Sequence, residues 1–101
     1  MDYVPARGDL VWLEGDRPAL VVSPREYNRK VGLALLCPIT SQVKGYPFEV
    51  SLPEGSSVTG VVLADRIKSL DWRACQAKRA GDVPNEVFDQ VLDKLGTLLG
   101  R

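Results

Sequence analysis

Short apolar segments follow one another as far as Trp72, each closed by proline, glycine or a polar cluster, and then give way to one segment of helical period. This alternation constrains the fold more than any other feature. Apolar runs this short, bounded by turn residues, suit strands, whereas a helix needs a longer periodic stretch. Asp9 to Glu14 and Pro18 to Ser23 read as consecutive antiparallel strands around a short polar link, and Pro24 stops the second. The polar stretch Arg25 to Lys30 reads as a connection. Gly32 to Cys37 is apolar enough for a buried central strand, with Pro38 ending its ladder. In Pro47 to Leu52, Phe48, Val50 and Leu52 alternate with Glu49 and Ser51, as in a strand with one face exposed. Thr59 to Leu63 and Arg66 to Trp72 supply two more strands, with Ile67, Leu70 and Trp72 as core residues.

After Pro84 the period changes. Val87, Val91, Leu95 and Leu98 fall on one helical face, with Phe88, Leu92 and Leu99 beside them. Pro84 suits the first turn, and Glu86 and Asp89 complement the positive end of the helix dipole. The expectation is a mainly β fold with a C-terminal α-helix: a small barrel or sandwich that the helix plugs or flanks. No repeat, linker or low-complexity segment divides residues 1–101, which read as one domain. The longest apolar runs, Gly32 to Cys37 and Gly60 to Ala64, fall far short of the roughly 18 residues of a membrane helix. The first residues lack the basic and apolar regions of a secretory signal, so a cytoplasmic protein is expected.

The chain contains no histidine, which excludes Ser-His-Asp and Cys-His nucleophilic sites and HExxH zinc sites. Cys37 and Cys75 form no CxxC pair and are too few for a zinc site, so both are expected reduced and buried. No metal or other cofactor is implied. Any catalysis must use carboxylates, hydroxyls, lysine and arginine. Thirteen basic side chains balance thirteen acidic ones, which argues against a general grip on duplex nucleic acid. The charges are unevenly spread, however. Val61 to Gly81 holds Arg66, Lys68, Arg73, Lys78 and Arg79 against two acids, and Asp82 to Asp93 holds four acids and no base.

Six segments, Gly8 to Trp12, Arg17 to Pro24, Tyr27-Asn28, Pro38 to Thr40, Lys44 to Val50 and Leu63 to Ser69, together resemble the MazF/PemK family of toxin endoribonucleases. The resemblance runs through almost the whole chain and includes the C-terminal helix. It implies a small SH3-like barrel of the CcdB/PemK type that forms a homodimer. It also implies metal-independent cleavage of single-stranded RNA at short sequence motifs, and inhibition by a cognate MazE-like antitoxin. Cleavage in this family proceeds by attack of the ribose 2'-hydroxyl on the neighbouring phosphate.

Carried over by position, Arg17 matches the family's catalytic arginine, whose guanidinium donates two hydrogen bonds to phosphoryl oxygens. Thr40 matches the hydroxyl residue that binds the same phosphate, with Ser41 able to share the role. By the same resemblance Lys44, Gly45 and Tyr46 line the RNA groove, Asn28 and Gln42 read base edges, and Lys68 neutralises the backbone on the groove floor. Arg66 stands where family members often carry glutamine, and so bears on sequence preference. One departure concerns the long loop that joins the family's first two strands and carries a catalytically important glutamate. Here only Glu14-Gly15-Asp16 intervene. The proton-accepting role then falls to Glu14, Asp16 or water, and a carboxylate so near Arg17 is expected to pair with it and reduce cleavage. Against the enzyme stands a non-catalytic relative of the same barrel, either a gyrase poison or a degenerate toxin that still binds antitoxin.

Overall fold

Strands β1 (Asp9–Leu13) and β2 (Arg17–Val21) form a hairpin in which Leu13 pairs with Arg17. Its turn is left-handed at two successive residues, Glu14 (φ 51°) and Gly15 (φ 88°), the geometry that matches the twist of the flanking strands. Both strands are buried on both faces. Leu10 and Leu20 enter one core, and Val11, Leu13, Ala19 and Val21 enter another. Because strand side chains alternate, burial on two faces produces the unbroken apolar runs seen in the sequence. The computed structural model describes residues 3–100, so Met1, Asp2 and Arg101, which complete the expected 1–101 domain, lie outside the described residues.

Strand β3 (Ala34–Thr40) pairs antiparallel with β2 and divides its other edge between two partners. Ala34, Leu35 and Leu36 pair with β6 (Lys68–Leu70), and Ile39 and Thr40 pair with β5 (Val61–Leu63). Strand β4 (Glu49–Ser51) flanks β5, and β7 (Lys78–Asp82) flanks β1. The order β4-β5-β3-β2-β1-β7 describes a curled, barrel-like antiparallel sheet whose ends, among the described residues, stay open.

Pro38 does not end the ladder as expected; β3 continues through it to Thr40. The Val22 N–H donates to the Leu35 carbonyl (2.8 Å), so the hydrogen-bonded pairs with β2 fall on odd-numbered residues of β3. Pro38 therefore turns its nitrogen to the other edge, at the gap between β6 and β5, where no ladder bond is lost. The expected strand from Arg66 to Trp72 is reduced to β6, preceded by a 3₁₀ turn (Ala64–Arg66) and followed by turns. Trp72 is buried as expected, while Ile67 and Leu70 are only partly covered. Cys37 is buried and Cys75 only half-buried, and both are free thiols.

Helix α2 (Asn85–Leu98) covers the first core with Val87, Phe88, Val91 and Leu95. Each such side chain contributes roughly 1.5–3 kcal/mol relative to exposure, which outweighs the modest helix propensity of the segment. Leu98 and Leu99, expected on the packed face, are exposed because the helix outruns the sheet. The stretch read as a connection is a short helix, α1 (Arg25–Val31), whose only buried residue is Asn28. That amide is saturated. Its Nδ2 donates to the carbonyls of Pro5 (2.8 Å) and Ser23 (3.0 Å), and its Oδ1 accepts from Ser23 Oγ (2.5 Å). Trp72 Nε1 donates to the Asn28 carbonyl (2.9 Å), tying α1 to the second core. No helix is long and apolar enough to cross a membrane.

Candidate functional site

Sheet register decides which side chains share a face. Between β2 and β3, Val21 stands opposite Leu36 and Ala19 opposite Pro38, and two more residues along the same ladder bring Arg17 opposite Thr40. On the far edge of β3, Lys68 stands opposite Leu36 and Leu70 opposite Ala34. Arg17, Thr40 and Lys68 thus share the face that carries the second core, at the end where the core gives out. The first core and α2 occupy the opposite face.

Three depressions run into one another along this edge. The first, about 230 Å³, has an apolar floor of Ala19, Leu36 and Leu70 and charged walls of Asp16, Arg17 and Lys68. Asp16, Pro18 and Ile39 continue into a second, about 420 Å³, that reaches Thr40 and Ser41. Thr40 also borders a third, about 160 Å³, between Gln42, Lys44, Tyr46, Glu49 and Arg66. Eight of the nine residues singled out from the sequence fall on this trough or the loop beside it. Asn28 does not. It is fully buried with its amide saturated, so it has no free edge to offer a base, and the expectation for it is corrected.

Arg17 is half exposed, and its guanidinium is paired with the Glu14 carboxylate, as the short turn led us to expect. Thr40 Oγ1 accepts a bond from the Gln42 N–H (3.1 Å), which leaves the hydroxyl hydrogen free to donate into the trough. The Thr40 backbone is held by Gly60, where a Cβ would lie 2.2 Å from the Thr40 carbonyl oxygen; only glycine lets the chains approach this closely.

The loop after β3 is tied down at three points. Glu49 accepts the Lys44 N–H at Oε2 (3.0 Å) and the Gly45 N–H at Oε1 (2.9 Å). Tyr46 donates its hydroxyl to Asp65 Oδ1 (2.9 Å), and Lys94 Nζ of α2 donates to the Pro47 carbonyl (2.5 Å). Partial burial, and then the bond to Asp65, raise the Tyr46 phenol above its ordinary pKa and keep it protonated. Sequence reasoning missed Glu49, Asp65 and Gly60. Glu49 lies inside a segment noticed for its alternation, and its bonds to amides four and five residues earlier follow from a loop path that alternation does not encode. Among the described residues, no group of three or more His, Cys, Asp or Glu side chains is placed to hold a metal ion.

The family described as "PemK-like, MazF-like toxin of type II toxin-antitoxin system" matches residues 3–99. The Escherichia coli K12 protein named endoribonuclease toxin MazF is 44% identical, over 97% of this chain and 96% of its own length. Endoribonuclease PemK from Escherichia coli is 37% identical over 85% of this chain and 68% of its own. Among solved structures, a MazE-MazF crystal structure from Deinococcus radiodurans superposes with a TM-score of 0.95 at 55% identity, covering 98% of each chain.

Proposed function

This chain belongs to the PemK/MazF family of type II toxin–antitoxin toxins, and from that premise we propose that it is a metal-independent endoribonuclease that cuts single-stranded mRNA. The observation that carries this reading is the register that sets Arg17 opposite Thr40 on the face shared with Lys68. A phosphate lying across the strand ends meets a planar guanidinium fork, a hydroxyl donor and a nearby ammonium. The ribose 2'-oxygen attacks phosphorus and gives up its proton, while the bond to the 5'-oxygen breaks and that oxygen gains one. The products are a 2',3'-cyclic phosphate and a free 5'-hydroxyl. Arg17 and Thr40 stabilise the negative charge that builds on the equatorial oxygens during attack. Ser41 assists Thr40. Lys44, Gly45, Tyr46 and Gln42 hold the bases, and Lys68 neutralises the neighbouring phosphate.

Residues 1–101 constitute one such toxin domain, working as a homodimer in the cytoplasm, where mRNA is found. The titles of related structures include a complex of a MazF with a MazE and one of a mycobacterial endoribonuclease with its antitoxin. A MazE-like antitoxin with an acidic, apolar tail would occupy the same trough, its carboxylates meeting Arg17 and Lys68 and the tail ordering as it binds. Equal binding of such a tail to the wild type and to a doubly substituted Arg17→Ala, Lys68→Ala protein would contradict this. The Glu14–Arg17 pair favours a second reading, in which the chain binds RNA or antitoxin with little cleavage.

The deciding experiment incubates the purified protein with a long single-stranded RNA in excess EDTA, beside Arg17→Ala, and maps the cuts and their ends. Cuts at one short motif with cyclic or 3'-phosphate ends, absent from the variant, support the enzyme. A folded protein that binds the RNA and leaves it intact supports the second reading.

A further inference from the structure

The 160 Å³ depression beyond Thr40 is the part of the trough that phosphate chemistry leaves unexplained. It is smaller than the roughly 300–1,000 Å³ that hold drug-sized ligands, and suits one planar base rather than a nucleotide run. Its polar lining is biased toward donors. Lys44 and Arg66 border it, and neither takes part in an ion pair among the described residues. The acceptors are already engaged: both Glu49 oxygens receive backbone amides, and Thr40 Oγ1 receives the Gln42 N–H. The Tyr46 ring edges the depression with its hydroxyl turned to Asp65.

We propose that this depression binds one keto base of the RNA, guanine or uracil, through donors from Lys44 and Arg66, and that Glu49 is the positioning residue that keeps the pocket in shape. This rests on the nuclease reading and extends it to sequence preference. Guanine presents O6 and N7 as acceptors and uracil presents O4, whereas adenine and cytosine project an exocyclic amine toward any donor that faces them. A donor-lined pocket whose acceptors are occupied therefore admits the keto bases and rejects the amino bases. Glu49 makes this lining possible because its carboxylate spans two consecutive amides, and a single side chain thereby holds the left-handed Gly45 (φ 82°) between Lys44 and Tyr46. Asp65 fixes Tyr46 from the 3₁₀ turn that also carries Arg66, so both walls are set by the same turn.

The test is cleavage of a randomised single-stranded RNA pool by the wild type, Arg66→Gln, Glu49→Gln and Glu49→Ala, reading the base at each position around the cut. Thermal melts establish that each variant is folded. In the wild type one position is expected to be confined to guanine or uracil. Arg66→Gln, which supplies an acceptor as well as donors, relaxes that position by roughly tenfold and leaves the others unchanged. Glu49→Ala relaxes the same position, and Glu49→Gln, which keeps one acceptor oxygen, lies between. Amide exchange at Lys44 and Gly45 accelerates in the same order. A wild-type pattern confined to adenine or cytosine at every fixed position, or variants that are folded and keep the wild-type pattern, overturns the proposal. If the wild type cuts no RNA, the nuclease reading fails on its own. The pocket is then judged by binding of oligonucleotides built only from guanine and uracil or only from adenine and cytosine, where equal affinity overturns it.

Discussion

Replacing Glu14 by glutamine tests what the short first turn does to the site. In the free protein the Glu14 carboxylate occupies the Arg17 guanidinium, the group proposed to receive the scissile phosphate. RNA must displace it. The two side chains are 55% and 56% exposed, so the pair has the strength of a surface ion pair, about 0.2–1 kcal/mol. Removing the charge while keeping the shape should tighten RNA binding by roughly 1.4- to 5-fold, with the gain largest at low ionic strength. Initial rates on a short single-stranded substrate, across a salt series, separate the two roles open to Glu14. As a competitor for Arg17, its replacement lowers KM and leaves kcat unchanged. As the proton acceptor, its replacement lowers kcat, by the 10²–10⁴-fold typical of a lost general base. A KM and kcat both indistinguishable from wild type at low salt would refute the ion-pair argument and the base assignment together.

Asn28→Ala should act on stability and not on sequence preference. It strands the buried carbonyls of Pro5 and Ser23, at a cost of about 1–3 kcal/mol or more, and lowers the urea midpoint by on the order of 1 M, while cut sites mapped under native conditions stay the same. Gly60→Ala forces a methyl against the Thr40 carbonyl at a position with φ 123°, so it should destabilise the fold by about 1–3 kcal/mol and slow cleavage well below the folding transition. Alkaline pH should weaken the fold through Tyr3. Burial, and then its bond to Asp9 (2.6 Å), raise the phenol above the ordinary 10.0, so the folded state holds the proton more tightly than the unfolded one. That contribution is complete below pH 10 and is lost as pH rises further; denaturation series at pH 9 and 11 should differ in wild type and much less in Tyr3→Phe.

What the sequence made legible followed from burial. Strands β1, β2 and β3 announce themselves because they are covered on both faces, and α2 because its packed stripe keeps helical period. The elements that escaped have no such stripe. Helix α1 buries only an asparagine, and its apolar side chains, Tyr27 and Val31, face solvent, so its seven residues look like a polar link. Strand β7, Lys-Arg-Ala-Gly-Asp, is a charged edge strand that pairs with β1 across a bulge, and charge at an edge is how a sheet discourages further pairing. Lys78 and Arg79 were noticed as charge and missed as structure. At the site, Arg17 and Thr40 were reached through resemblance, and their juxtaposition needed the register. Asn28 was misplaced for a related reason: a polar residue on a polar segment looks exposed until the tertiary fold turns it inward.

A net charge of zero coexists with an RNA-binding reading because the two signs occupy different faces. The acids of the α2 region, Glu86, Asp89 and Asp93, lie on the helix that covers the first core. Arg17 and Lys68 lie on the opposite face of the sheet, with Lys44 and Arg66 further along the same trough. Composition averages these away, while an approaching polyanion senses mainly the charges within about a Debye length, some 8–10 Å at physiological salt. The acidic helix then works with the basic trough. It repels RNA from the wrong side and contributes to a field that orients the strand toward Arg17. The same division explains how a protein antitoxin is drawn to the substrate groove, since an acidic tail experiences the field that RNA does. It also places the Glu14 carboxylate in a distinct position among the acids. Glu14 stands on the basic face, within reach of the group that both ligands must engage, so RNA and antitoxin alike bind by replacing a contact the protein already makes to itself.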